Sequence, residues 1–252
     1  MVRGLREVVA RNVASCDHAN ACSTSAILIW QAVHVGLALR LKRGELMTRG
    51  IDYFFTIASP WAYLGHGVLM DIVARHNVSL HWRPMPIAQV FAETGSLPLA
   101  KRPPARQRYR FVEMQRWRDK RNLPLVLQPL RVPFIVDHVN RCIIALVAMK
   151  QDPDAFVRLA FAGVWAQEAD LGDIAIIARL LKTAGHDAAA VLAMAQSPEI
   201  EAIYAANGAA AVKADVFGAP GYVLDGEVFW GQDRLELLND ALASGRGPYS
   251  PV

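Results

Sequence analysis

Strand-forming stretches stand only near the front and near the end of this chain, with helical pattern from about 105 to 213 between them. Ile51 to Ile57 is rich in β-branched and aromatic residues and predicts a buried strand. Trp61, Leu64, Val68 and Ile72 then recur at helical spacing, with Leu69 and Val73 widening the face. Ser79 to Arg83 predicts a second strand, stopped by Pro84 and Pro86. Far downstream, Gly221 to Leu224 and Glu227 to Trp230 flank Asp225-Gly226, a strong two-residue hairpin signal. A closing helix is expected from about Gln232 to Leu242, with Leu235, Leu238 and Leu242 inward and a loose tail from Gly245 to Val252. The order β-α-β, helices, β-β-α describes one sheet cut open after its second strand.

Thr94 to Pro104, with Gly95, Pro98, Pro103 and Pro104, predicts a loop without a regular element. A helix follows from Arg106 to Trp117. Phe156, Leu159, Ala160, Gly163 and Val164 form a helical stripe; Ile174, Ile177, Ala178 and Leu181 form another, ended by Gly185; Ser197-Pro198 starts a further helix as N-cap and first residue. Residues 51–104 and 214–243 are therefore expected to make one domain, with 105–213 as a helical insertion subdomain.

At 252 residues and 53% hydrophobic, a soluble globular protein with a large core is expected. The net charge is +4, and nine basic residues between Lys101 and Arg121 face only Glu113 and Asp119. That local field favours an anionic small molecule. The run lacks a groove-reading motif, so no nucleic-acid partner is expected. Cys16, Cys22 and Cys142 form neither a CxxC pair nor a metal-ligand spacing. No metal is expected, and a reducing, cytoplasmic setting is the natural reading. Ala26 to Leu39 is apolar but too short for the ~20 residues that span a bilayer, and no small-residue cleavage pattern follows it. Neither a signal peptide nor a membrane partner is expected. Met47 stands four residues before the first strand, which suggests a natural start there, with 1–46 as an extension of doubtful status.

Ser59-Pro60, after the first strand, has an ordinary explanation: serine as N-cap and proline at the first helical position. The same hydroxyl sits at the positive end of a helix dipole, where it can stabilise a ligand thiolate. Pro220 is either a proline at a strand start or, in Gly218-Ala219-Pro220, a cis-proline that presents the backbone of Ala219 to a ligand. Asp233 is either an acidic residue favourable to the helix dipole or the partner of a ligand ammonium whose carboxylate lies on the free helix N–H groups.

Phe54-Phe55-Thr56-Ile57-Ala58-Ser59-Pro60-Trp61-Ala62-Tyr63-Leu64, Tyr109 to Trp117 with Leu123-Pro124-Leu125, and Val216-Phe217-Gly218-Ala219-Pro220 through Phe229-Trp230-Gly231-Gln232-Asp233-Arg234-Leu235 resemble the 2-hydroxychromene-2-carboxylate isomerase family. That family is grouped with kappa-class glutathione transferases and DsbA-like proteins. The resemblance covers residues 51 to 243 and implies an α/β thioredoxin-like fold with an all-helical insertion between strands 2 and 3. It implies reduced glutathione as cofactor. The thiol-activating serine falls on Ser59, and the place of a second redox cysteine falls on Ala62, which excludes dithiol exchange there. The cysteinyl backbone contact falls on Ala219 beside Pro220. The γ-glutamyl contacts fall on Gln232 and Asp233, with Trp230 and Gly231 leading in. Arg106, Lys101 and Ser96 are the implied substrate contacts. Departures from the family pattern are Thr56 where an acidic residue is frequent, Gly221 where a hydroxyl residue is common, and Asp215 where glycine is usual.

The implied activity is glutathione-dependent isomerisation of an aromatic or bicyclic keto acid, in the catabolism of aromatic compounds. The alternative is a kappa-like transferase that conjugates or reduces electrophiles. A homodimer stays open.

Overall fold

The structure is a computed structural model, and the residues described are 49–251. The expectations for Cys16, Cys22, the Ala26 to Leu39 stretch and the 1–46 extension lie outside the described residues.

A four-stranded sheet has the order β2-β1-β3-β4, built from β1 (Gly50–Phe55), β2 (Ser79–Pro84), β3 (Gly221–Leu224) and β4 (Glu227–Trp230). β1 pairs parallel with β2 and antiparallel with β3, which pairs antiparallel with β4. The last two strands thus return to the first across the whole helical segment. This is the thioredoxin-like arrangement expected. Asp225 and Gly226 turn the β3–β4 hairpin with φ of 53° and 88°, the left-handed pair that a two-residue turn demands and that glycine adopts without penalty.

β1 runs into α1 (Pro60–His76) through a tight link at Ser59. Ser59 is the N-cap, its side chain accepts from the Ala62 N–H, and Pro60 opens the helix; Asn77 ends it in the left-handed region. After β2, two short elements precede the long α3 (Pro104–Arg121): α2 (Ile87–Thr94) and a 3-10 turn (Leu99–Lys101). The 3-10 turn falls inside the Thr94 to Pro104 stretch expected to hold no regular element, and α2 precedes that stretch where no element was expected. α2 is too short to display a helical period, and Pro86 immediately before it suggests a break. α3 also runs longer than expected at both ends, with Pro104 in its first turn and left-handed Asn122 as its cap.

Five helices complete the insertion: α4 (Asp137–Ala148), α5 (Asp154–Trp165), α6 (Ile174–Thr183), α7 (Ala188–Ala195) and α8 (Pro198–Lys213). Asp173, Asp187 and Ser197 cap α6, α7 and α8 with their side chains. α4 is deeply set, burying Val139, Cys142, Ile143, Ala145 and Leu146. A final 3-10 turn (Gln232–Arg234) leads into α9 (Leu235–Ser244).

Alternation along the strands divides the core. Ile51, Tyr53, Phe55, Tyr222 and Leu224 join one large cluster that includes α1, α9 and most insertion helices. Phe54 and Val223 face the other way, onto Met85, Val90, Ala211 and Val216. Gly65 lets α1 approach the last 3-10 turn: a Cβ there would lie 2.6 Å from Gln232 Cβ. This contact sets the start of α1 beside the start of the closing helix.

The tail expected to be loose is tied down. Arg246 forms a two-pronged pair with Glu227 on β4 at 2.6 and 2.9 Å, and Tyr249 lies under its guanidinium at 3.9 Å. The sequence signal for this was a lone arginine among glycines, which hydropathy cannot distinguish from a free end.

Candidate active site

The end of β1, the start of α1 and the loop before β3 meet at Ser59. Its Oγ accepts from the Ala62 N–H at 3.2 Å and donates to the Ala219 carbonyl at 2.9 Å. Capping and contact with the opposite segment are therefore simultaneous. The Ala219–Pro220 peptide is cis, as expected. The Pro220 carbonyl accepts from Gly231 N–H at 2.9 Å, which fastens this loop to the end of β4. Asp215 adopts φ 58°, the left-handed conformation that accounts for a preference for glycine at that position. Gly221 has no room for a side chain: a Cβ would stand 2.6 Å from Val216 Cγ1.

Ser59 and Ala219 line a cleft of about 160 Å³ together with Thr56, Trp61, Arg102 and Arg110. The cleft shares Thr56, Ala58, Ile87, Leu99 and Arg110 with an adjoining cavity of about 680 Å³, whose further walls include Phe111, Leu127, Phe134 and Trp165. On the other side of Trp61, Arg102, Arg106, Tyr109 and Arg110 border a shallower hollow.

Arginines dominate the cleft's charge. Burial pushes the Arg110 guanidinium down to about 10, helped by the nearby charge of Arg102. Arg102 is lowered by burial and then by Arg106. Both stay cationic at neutral pH, and neither pairs with a carboxylate among the described residues. Half-buried cations without a counter-ion give the cleft a field that favours an anion. Arg102 also donates to the Leu97 carbonyl at 2.8 Å, which orients its fork.

The other residues picked out by sequence are dispersed around this centre. Trp230 is half-exposed and packs on Phe217 with ring centroids 4.7 Å apart. Gln232 is buried, and its Oε1 accepts from Arg121 Nη2 at 3.0 Å and Nε at 3.3 Å. Its side chain thus holds α3 to the last 3-10 turn. Asp233 is exposed and accepts from Arg234 at 2.6 Å. Ser96 donates to the Phe217 carbonyl at 2.7 Å. Lys101 is exposed and lines neither the cleft nor the large cavity, where its neighbour Arg102 does. Arg106 is exposed and reaches only the shallower hollow.

Among the described residues, the cleft offers no cysteine for thiol–disulfide chemistry. Ala62 is buried at the position where a second cysteine would stand, and burial pushes the Cys142 thiol, on α4, up to about 12. No cluster of His, Cys, Asp or Glu suited to a metal occurs among the described residues, and none of their helices is long and apolar enough to cross a membrane.

A family model described as a DSBA-like thioredoxin domain matches residues 50–243. The chain belongs to the DSBA-like thioredoxin domain family. Among curated proteins it is similar to a 2-hydroxychromene-2-carboxylate isomerase of Sphingobium xenophagum, with 29% identity over 198 residues, covering 78% of this chain and 99% of that protein. It is also similar to glutathione S-transferase kappa 1 of Rattus norvegicus, with 26% identity over 81% of this chain and 96% of that protein. A solved structure of a 2-hydroxychromene-2-carboxylate isomerase superposes with a TM-score of 0.66 at 25% identity, covering 77% of this chain and 95% of the other.

Sequence reasoning missed Arg102, Arg110 and Arg121. A partial signal was present, because Arg106 and Arg110 stand four residues apart within α3, which places them along one helix face. Arg102 precedes the helix in extended backbone, so no helical spacing points to it. Which face points inward was hidden by apolar residues scattered around the whole wheel.

Proposed function

We propose that this chain is a glutathione-dependent isomerase of the 2-hydroxychromene-2-carboxylate type, acting on an aromatic or bicyclic keto acid. One observation carries the reading. A serine hydroxyl at the start of α1 meets the backbone of Ala219, beside a cleft lined by uncompensated arginines that opens into an apolar cavity.

The residues present fit glutathione. Ser59 and the dipole of α1 suit a thiolate, since an O–H donor and a partial positive charge both favour the ionised sulfur. Ala219 offers its backbone for the cysteinyl unit. The first N–H groups of the Gln232–Arg234 turn and the Asp233 carboxylate suit the two charges of a γ-glutamyl group. When bound, glutathione supplies a nucleophilic sulfur that adds reversibly to a conjugated carbon, giving a single bond about which rotation is free. The chain's own part is positional. Ser59 holds the sulfur's charge, Arg110 and Arg102 anchor the substrate carboxylate, and the walls at Phe111, Leu127, Phe134 and Trp165 receive the ring and exclude water.

Similarity to the kappa transferase supports a second reading, in which glutathione is consumed. Incubation with 2-hydroxychromene-2-carboxylate separates the two. Isomerisation yields trans-o-hydroxybenzylidenepyruvate only when glutathione is present and leaves the glutathione concentration unchanged. Stoichiometric loss of free thiol with a conjugate as product supports the transferase, and turnover without glutathione removes both readings.

A further inference from the structure

Thr56 is buried, with 2% of its surface exposed, and it lines both the Ser59 cleft and the apolar cavity. Behind it runs a chain of hydrogen bonds whose direction is fixed at both ends. Asp137, as a carboxylate, only accepts, so the Tyr204 hydroxyl donates to it at 2.9 Å. The Tyr204 oxygen then accepts from Asn140 Nδ2 at 3.2 Å. Asn140 cannot be turned over, because its Oδ1 accepts from the Ile57 backbone N–H at 3.2 Å, and a backbone N–H cannot reverse. Its second Nδ2 hydrogen goes to Thr56 Oγ1, also at 3.2 Å. The Ala58 N–H approaches the same Oγ1 at 3.4 Å.

Both acceptor sites of the threonine oxygen are therefore used by the protein, and its own proton has no acceptor among the described residues. A buried donor in this position costs stability unless something accepts from it. The open side is the cavity wall that Thr56 shares with Arg110.

We propose that Thr56 donates a hydrogen bond to a neutral acceptor oxygen of the substrate, while Arg110 holds its carboxylate, so that the site distinguishes an aryl α-keto acid from the same acid without the keto oxygen. This rests on the isomerase reading for the identity of the reaction, but concerns substrate binding alone. It makes Thr56 a specificity-determining residue and Asn140 and Tyr204 positioning residues that set the direction of its proton.

The test is calorimetric titration of the full chain, without glutathione, with benzoylformate and with phenylacetate. These share the ring and the carboxylate and differ in the keto oxygen. Wild type is expected to bind benzoylformate about tenfold more tightly, the worth of one buried hydrogen bond. Thr56→Val keeps the branched shape but withdraws the acceptor used by Asn140 and Ala58, so its folding is checked by melting; it is expected to erase the preference while leaving phenylacetate affinity within about twofold. Thr56→Ser is expected to restore it. Should Thr56→Val prove unstable on melting, Thr56→Ala serves for the same comparison. A preference that survives loss of the hydroxyl, equal loss of both ligands, or no preference in wild type overturns the proposal. Failure of the isomerase reading shows separately, as absence of glutathione-dependent product with the ligand preference intact.

Discussion

The Ser59 hydroxyl donates to the Ala219 carbonyl at 2.9 Å across 160 residues of sequence, while its oxygen accepts from Ala62 N–H in its own helix. One side chain thus caps α1 and joins the two halves of the sheet domain. On the proposed reading, a bound thiolate would accept the proton that Ala219 now receives, without disturbing the cap.

Ser59→Ala should therefore lower activity far more than stability. Loss of the cap costs about 1 kcal/mol, and loss of the bond to Ala219 about the same. Ultraviolet titration of bound glutathione should show its thiol pKa raised in the variant. Equal thiol pKa values in wild type and variant would leave Ser59 as a cap and nothing more.

Arg110→Met should separate binding from folding in the opposite sense. The change removes a half-buried cation with no counter-ion and keeps much of its volume, so the melting temperature should hold or rise. Apparent affinity for the acidic substrate should fall by about 10- to 100-fold, the range of a charge-assisted hydrogen bond. Lys101→Met should have little effect on substrate affinity. A variant pair with the reverse ranking contradicts the placement of the carboxylate.

Asp233 and Arg234 form an exposed pair at 2.6 Å, so the aspartate proposed to face a γ-glutamyl ammonium is already shared. Asp233→Asn should weaken glutathione binding by about 0.5–1 kcal/mol, and Arg234→Gln should strengthen it, each read by calorimetry. Movement of both variants in the same direction would show that the charge of Asp233 does not act on the ligand.

A fourth expectation concerns pH. His66 is buried on α1 against Asp154, with Nε2 and Oδ1 2.8 Å apart. Burial pulls the imidazole below its ordinary 6.5 despite the pull of Asp154 in the other direction. The folded protein therefore holds His66 neutral where the unfolded chain would take up a proton. Its contribution to stability is complete above about 6.5 and is lost as pH falls through the lowered folded value. Burial pushes Asp154 upward, but the hydrogen bonds from His66 and Arg158 outweigh it and leave the carboxyl below its usual range, so acid acts on it in the same sense. Denaturant midpoints should fall between pH 7 and pH 5 in wild type, and Arg158 kept intact, His66→Gln should flatten that slope. An unchanged slope in the variant would assign the acid sensitivity elsewhere.

The strands were legible because each carries its own local signal. Asp225-Gly226 marks the hairpin, and β3 and β4 occupy the residues expected. Ser59 and Pro220 were legible because a cap and a proline at a strand start are short motifs with a mechanism. Gln232 was legible as a position but not as a role, since burial against Arg121 depends on how far α3 extends. α2 and the inward arginines escaped for a related reason. An eight-residue helix shows barely two turns of period, and α3 places apolar and basic residues on every face, so only tertiary packing decides which arginines reach the cleft. The Thr56–Asn140–Tyr204–Asp137 chain joins four residues from three elements, a relation no spacing along the sequence displays.

Whether the cleft at Ser59 and Ala219 binds reduced glutathione is decided by calorimetric titration of the chain with that ligand. Saturable binding of one glutathione per chain, weakened when Asp233 is changed to asparagine, is the predicted result; no measurable heat of binding at millimolar concentration contradicts it.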